Sequence, residues 1–175
     1  TFFSPAEALH MLGLRSKTAD VADFGCGYGT FTIPAAQITS GQVHAFDIEA
    51  DMLTATRERV RRLQLPNILL YHRDFAADGT GLGDASVDYV MLFNILHAEE
   101  RAFLLREAFR ILRAGGVLGI MHWNYDPETP RGPPMAIRPR PEQCAEWAES
   151  AGFVLDERLV NLPPYHYGII TKKAR

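Results

Sequence analysis

Val21-Ala-Asp-Phe-Gly-Cys-Gly-Tyr-Gly-Thr-Phe31 reads as a buried strand, a turn with glycine at 25, 27 and 29, and the first turn of a helix. A strand ending in Gly-x-Gly lets the chain reverse sharply and brings a ligand against bare backbone, where a Cβ would hold it off. Asp23 puts a carboxylate at the end of that strand. The next apolar run, Val43-His-Ala-Phe-Asp47, closes on a second acid about 20 residues past the turn, where a ribose site needs one.

Working outward, strands and helices alternate. Ser4-Pro5 starts a short helix that Gly13 stops. Strands are expected at 20–24, 42–47, 68–73, 87–93 and 117–121, with helices at 31–38, 49–63, 98–113 and 142–151 between and after them. The helix 49–63 is the clearest, with Met52, Leu53, Thr56, Val60 and Leu63 on one face and Arg57, Glu58, Arg61 and Arg62 between. Residues 78–86 read as a Gly-rich linker and Gly115-Gly116 as a helix stop. Two last strands, 153–159 and 167–171, are spaced as an antiparallel hairpin. The pattern predicts an α/β fold, a doubly wound Rossmann-like sheet of seven strands, mostly parallel with an antiparallel last strand. Residues 1–175 are expected to form a single domain.

Residues 124–141 break the rhythm, with prolines at 127, 130, 133, 134, 139 and 141. Arg131, Arg138 and Arg140 in this segment could face an acidic substrate, but solvated loop arginines are the expected reading. The net charge of −3, with no basic run, lacks the electrostatic footprint of a nucleic-acid binder. Cys26 and Cys144 show neither metal nor disulfide spacing, which fits a reducing cytoplasm. No stretch approaches the ~20 apolar residues of a membrane span. The start at Thr1 is compatible with trimming of a longer N-terminus.

The acidic-x-Gly-x-Gly-x-Gly run, Asp47, Arg73-Asp74-Phe75, the strand leading to Asn94-Ile-Leu-His97, the Ile111-Leu-Arg-Ala-Gly-Gly116 step and the closing strand pair together resemble the class I S-adenosylmethionine-dependent methyltransferases. The resemblance implies S-adenosylmethionine as cofactor and S-adenosylhomocysteine as product. It implies that Asp23, Gly25, Cys26, Gly27 and Gly29 face the methionine part, and that Asn94 lies near its amino group. Asp47 would hold the ribose with Met52 nearby, Asp74 would accept from the adenine amine, and Ile48 and Phe75 would flank the ring. A nicotinamide dehydrogenase is the weaker alternative, because Thr30 stands where the dinucleotide pattern needs its third glycine. Asn161-Leu-Pro-Pro-Tyr165 lies about 70 residues too late to be the amide clamp of base and glutamine methyltransferases, and reads as a stiff turn.

His97, His122, Trp123, Tyr125, Tyr165 and His166 are expected to converge on one rim at the carboxyl ends of the strands. That rim would bind a small-molecule substrate through His97, Trp123, Tyr125 and Tyr165. His97 is the first candidate general base, with His122 and His166 in reserve. No metal is implied, since no His/Asp pair shows ligand spacing. A protein that binds the cofactor or its product without methylating anything is a separate reading. With only about a dozen residues before the first strand, a homodimer partner or the 124–141 loop is expected to cover the cleft.

Overall fold

The computed structural model describes residues 4–175, apart from the side chain of Arg158. Helix α1, Pro5–Met11, is capped by the Ser4 hydroxyl. It is followed by β1 Val21–Phe24, α2 Thr32–Ile38, β2 Val43–Asp47, α3 Ala50–Leu63, β3 Ile68–His72, α4 Phe75–Asp78 and β4 Val87–Phe93. Helix α5 Arg101–Ile111, β5 Leu112–Trp123, α6 Pro141–Ser150, β6 Val154–Leu162 and β7 His166–Lys172 complete the chain. One seven-stranded sheet runs in the order β3-β2-β1-β4-β5-β7-β6. The first five strands are mutually parallel where they pair, and β7 is antiparallel to both β5 and β6. This is the Rossmann-like sheet with an antiparallel last strand that the pattern predicts. The strand order reverses between β1 and β4, which places the ligand crevice of such sheets at the carboxyl ends of these two strands.

The two sheet faces bury separate cores, as a doubly wound sheet requires. One gathers Phe24, Phe46, Leu92, Leu104, Ile120 and Tyr167 beneath α4, α5 and α6; the other gathers Leu9, Leu12, Ile33, Met91 and Ile170 beneath α1 and α2. In α3 the apolar stripe buries Leu53 and Thr56, whereas Leu63 stays exposed. Among the described residues no helix is long and apolar enough to cross a membrane.

Three elements depart from expectation. Helix α5 ends at Ile111 and the chain enters β5 at Leu112, so Gly115-Gly116 lie within the strand. There Gly115 N donates to Lys173 O and Lys173 N to Gly116 O, both at 2.9 Å. The expected 78–86 linker is tied down by Thr80, whose N and Oγ1 both donate to Glu107 Oε1 at 2.7 Å. Burial alone would raise the Glu107 carboxyl, but bonds from Arg110 and Thr80 outweigh it and hold it down at about 2.

The Pro-rich segment folds around Arg138, which is not solvated but only 7% exposed. Its guanidinium donates to the carbonyls of Asn124, Asp126, Arg131 and Pro133 and to Thr129 Oγ1. A planar fork with five donors can cross-link an irregular loop in this way, satisfying carbonyls that no strand or helix pairs.

Candidate functional site

The crevice floor is the loop 25–30, with positive φ at all three glycines: Gly25 80°, Gly27 53° and Gly29 76°. L-residues avoid that region, so glycine at each position is a backbone requirement. A Cβ on Gly29 would lie 2.9 Å from Thr56 Cγ2, so the loop packs directly on α3. Helix α3 also holds the loop's carbonyls. Thr56 Oγ1 donates to Gly27 O at 2.8 Å, and the Arg59 guanidinium donates to Tyr28 O. Sequence reading missed Thr56 and Arg59 as loop supports. The available signal was a hydroxyl residue on an otherwise apolar helix stripe.

Asp47 ends β2 directly against this loop. Its Oδ2 accepts from Gly27 N at 2.8 Å and its Oδ1 from Glu49 N at 3.0 Å. Each carboxylate oxygen has a second lone pair, so the group can also accept hydroxyl hydrogen bonds. Ile48 is 52% exposed beside it, and Met52 is half-buried under Gly27. Asp74 is exposed and caps α4 through Ala77 N at 3.1 Å, leaving its second oxygen outside that bond. Phe75 lies beneath the crevice, its Cζ 3.8 Å from where a Cβ on Gly25 would stand. Its ring lies in the core, 5.5 Å from Phe24 and 6.4 Å from Phe46 by centroid, because α4 turns its first residue inward.

Asp23 and Cys26 sit beneath the crevice. Asp23 is 3% exposed and accepts from Thr32 Oγ1 at 2.6 Å. Burial raises its carboxyl to about 6, opposed by the Thr32 hydroxyl and assisted by the charge of Asp47. Burial also pushes the Cys26 thiol far above its ordinary range, so it is an inert small residue. Asp23 therefore binds a proton more tightly in the folded state than in the unfolded one. The stability this confers is complete below the ordinary carboxylate pKa and falls as pH rises through about 6. Asp23→Asn carries no such proton, so its melting temperature relative to the parent should climb between pH 4 and pH 7. A difference that stays constant across that range would show that Asp23 does not titrate there.

At the far side of the crevice Asn94 follows β4 in a left-handed conformation, φ 56°. Its N donates to Met121 O at 2.7 Å, while its Oδ1 is buried with no hydrogen-bond partner in the protein. A buried amide oxygen without a partner costs about 1–3 kcal/mol, and a bound donor would recover it. Asn94 lines a cleft of about 460 Å³ with Pro5, Thr30, Phe31, Met121, Trp123, Arg131 and His166.

The six residues expected on one rim are divided. Trp123 and His166 face this cleft, their rings 4.1 Å apart. His97 and Tyr125 line a second cleft of about 360 Å³ on the α5–α6 side. His122 is fully buried between the two, its Nε2 3.2 Å from His97 Nδ1. Burial, with the neighbouring His97, lowers its pKa to about 3, so it is a neutral prop for His97 and not itself accessible to a ligand. Tyr165 stands in the β6–β7 turn and lines neither cleft; its carbonyl accepts from Asn124 N and fixes the start of the Pro-rich loop. That loop, pinned by Arg138, separates the clefts. Among the described residues no group of His, Cys, Asp or Glu is placed to hold a metal ion.

Residues 21–116 match the methyltransferase domain family, and the chain belongs to that family. A Mycolicibacterium smegmatis protein named as a probable S-adenosylmethionine-dependent methyltransferase is 29% identical over 154 residues, 85% of this chain and 57% of its own length. A demethylmenaquinone methyltransferase of Geobacillus sp. is 30% identical over 103 residues, 57% of this chain and 43% of its own length. The chain thus spans about half the length of these curated relatives. The crystal structure of an S-adenosylmethionine-dependent methyltransferase from Aquifex aeolicus superposes with a TM-score of 0.86 at 24% identity, covering 98% of this chain and 90% of that one. S-adenosylmethionine is the cofactor of the family, with S-adenosylhomocysteine as product. The glycine cradle, the acid at Asp47 and the partnerless Asn94 oxygen all fit such a group.

Proposed function

We propose that this chain transfers a methyl group from S-adenosylmethionine to a small molecule held in the 460 Å³ cleft by direct displacement. The observation that carries the reading is the buried, partnerless Oδ1 of Asn94, set where the bare glycine loop meets that cleft. It is suited to accept from the amino group of the methionine part. Asp47 is placed to take the ribose hydroxyls, and Asp74 and Ile48 to receive the adenine. When bound, the cofactor supplies a methyl group already activated by a positively charged sulfur.

The protein's own part is then alignment and exclusion of water. Phe31, Met121 and Trp123 give the cleft apolar walls, and Asn94 and Thr30 supply polar groups for orientation. His166 is the histidine on this cleft, and burial lowers its pKa to about 4, so it is neutral at pH 7. It can accept a hydrogen bond from an acceptor hydroxyl or amine, but as a base it is weak. The clefts suit metabolites, and the demethylmenaquinone relative supports a small-molecule acceptor.

Purified protein should bind S-adenosylhomocysteine in a calorimetric titration and release it when S-adenosylmethionine and a metabolite extract are supplied together. Binding without turnover across extracts would favour a cofactor-binding protein that methylates nothing. No affinity for either compound would remove the donor site altogether.

A further inference from the structure

The 360 Å³ cleft on the α5–α6 side belongs neither to the glycine cradle nor to the cleft beside Asn94. We infer that it is a second binding site, for a small ligand that joins an anionic carboxylate or phosphate to a flat apolar ring.

Its charge is unusual in sign and place. Arg101 is the first residue of α5 and Arg140 the N-cap of α6, and both line the cleft. Helix N-termini carry partial positive charge and are stabilised by acids, so a guanidinium at each is unfavourable locally. Among the described residues neither guanidinium has a carboxylate within ion-pair distance. Among the described residues the Arg101 guanidinium donates only to Ala98 O, and the Arg140 guanidinium donates to no other residue. Among the described residues Arg138 adds a third positive charge, bonded to carbonyls and a hydroxyl, and Glu99 is the one acid lining the cleft.

Each of the two guanidiniums lies over an aromatic ring. Arg140 lies 3.8 Å above the Tyr125 ring centroid and Arg101 4.4 Å above that of Trp147. A guanidinium over a ring keeps N–H donors for other partners, and guanidiniums recognise carboxylate and phosphate by paired bonds. Tyr125 and Trp147, with Met135 and Ile137, give the ligand's ring an apolar seat.

Benzoate and phenyl phosphate are suitable probes, with phenol as the uncharged control. In a Trp123→Phe background Trp147 is the sole tryptophan, because the chain has two. Its fluorescence should change saturably with either anion at millimolar concentration, whether or not S-adenosylhomocysteine is present, and which anion binds tighter separates carboxylate from phosphate. The Arg101→Gln/Arg140→Gln double variant should lose at least tenfold in affinity for the anion while keeping its S-adenosylhomocysteine affinity. If the double variant does not fold, Arg140→Gln alone should lose at least threefold. Phenol binding as tightly as the anions, unchanged affinity in the arginine variants, or no saturable signal would each overturn the site. None of these outcomes depends on whether methyl transfer is observed.

Discussion

Asp47→Ala should weaken S-adenosylhomocysteine binding by roughly 10- to 150-fold, about 1.5–3 kcal/mol, the scale of hydrogen bonds to a charged group. Two effects act together. The ribose hydroxyls would lose their charged acceptor, and Gly27 N would lose the oxygen now 2.8 Å away that fixes the middle of the loop. Asp47→Asn separates them. Its amide oxygen can still accept from Gly27 N, so the loop should keep its shape while the charge is gone, and the loss should fall between the parent and Asp47→Ala. Titration calorimetry on the three proteins decides the matter. An unchanged constant for Asp47→Ala would remove the acid from the donor site, whatever the fold.

The same residue shows why so much of the crevice could be read from sequence. The loop and its acid are local signals: glycines at positions of positive φ, and an acid ending the next apolar run. Parallel pairing of β1 with β2 sets Phe24 level with Phe46, so the two strand ends must meet. What escaped depends on contacts distant in sequence. Leu112–Gly116 joins β5 because Lys173 bonds to its glycines from the far end of the chain. Arg138 looks like any loop arginine until Asn124, Asp126 and Pro133 turn their carbonyls toward it. That internal folding also divides the histidines and aromatics between two clefts, since a Pro-rich segment has no period from which its path could be foretold. The depth of the Phe75 ring was not legible for a related reason. Whether a residue after a strand end faces ligand or core depends on the turn of a four-residue helix.

A large loss of stability is expected at a glycine outside the crevice. Gly119 lies in β5, level with Met91 on β4 and Ile170 on β7. A Cβ there would stand 2.1 Å from Tyr89 Oη and 3.0 Å from Tyr89 Cζ. Tyr89 is 2% exposed, and its hydroxyl donates to Leu12 O at 2.9 Å, fastening the end of α1 to the sheet. An alanine must push that ring aside, so it both overpacks the core and breaks the bond. Overpacking typically costs 1–3 kcal/mol and a lost buried hydrogen bond about 1 kcal/mol more. Gly119→Ala should therefore destabilise by about 3 kcal/mol, which for a chain of this size lowers the melting temperature by roughly 6–12 °C. The cause can be isolated with Tyr89→Phe, which removes the oxygen that clashes. Alone it should be destabilising, because Leu12 O loses its donor; in the Gly119→Ala background it should cost much less or restore stability. Additive losses, or a Gly119→Ala protein that melts with the parent, would refute this packing. Because Pro5 at the start of α1 forms a wall of the cleft beside Asn94, the missing side chain at 119 gives Tyr89 the room through which the sheet positions that wall.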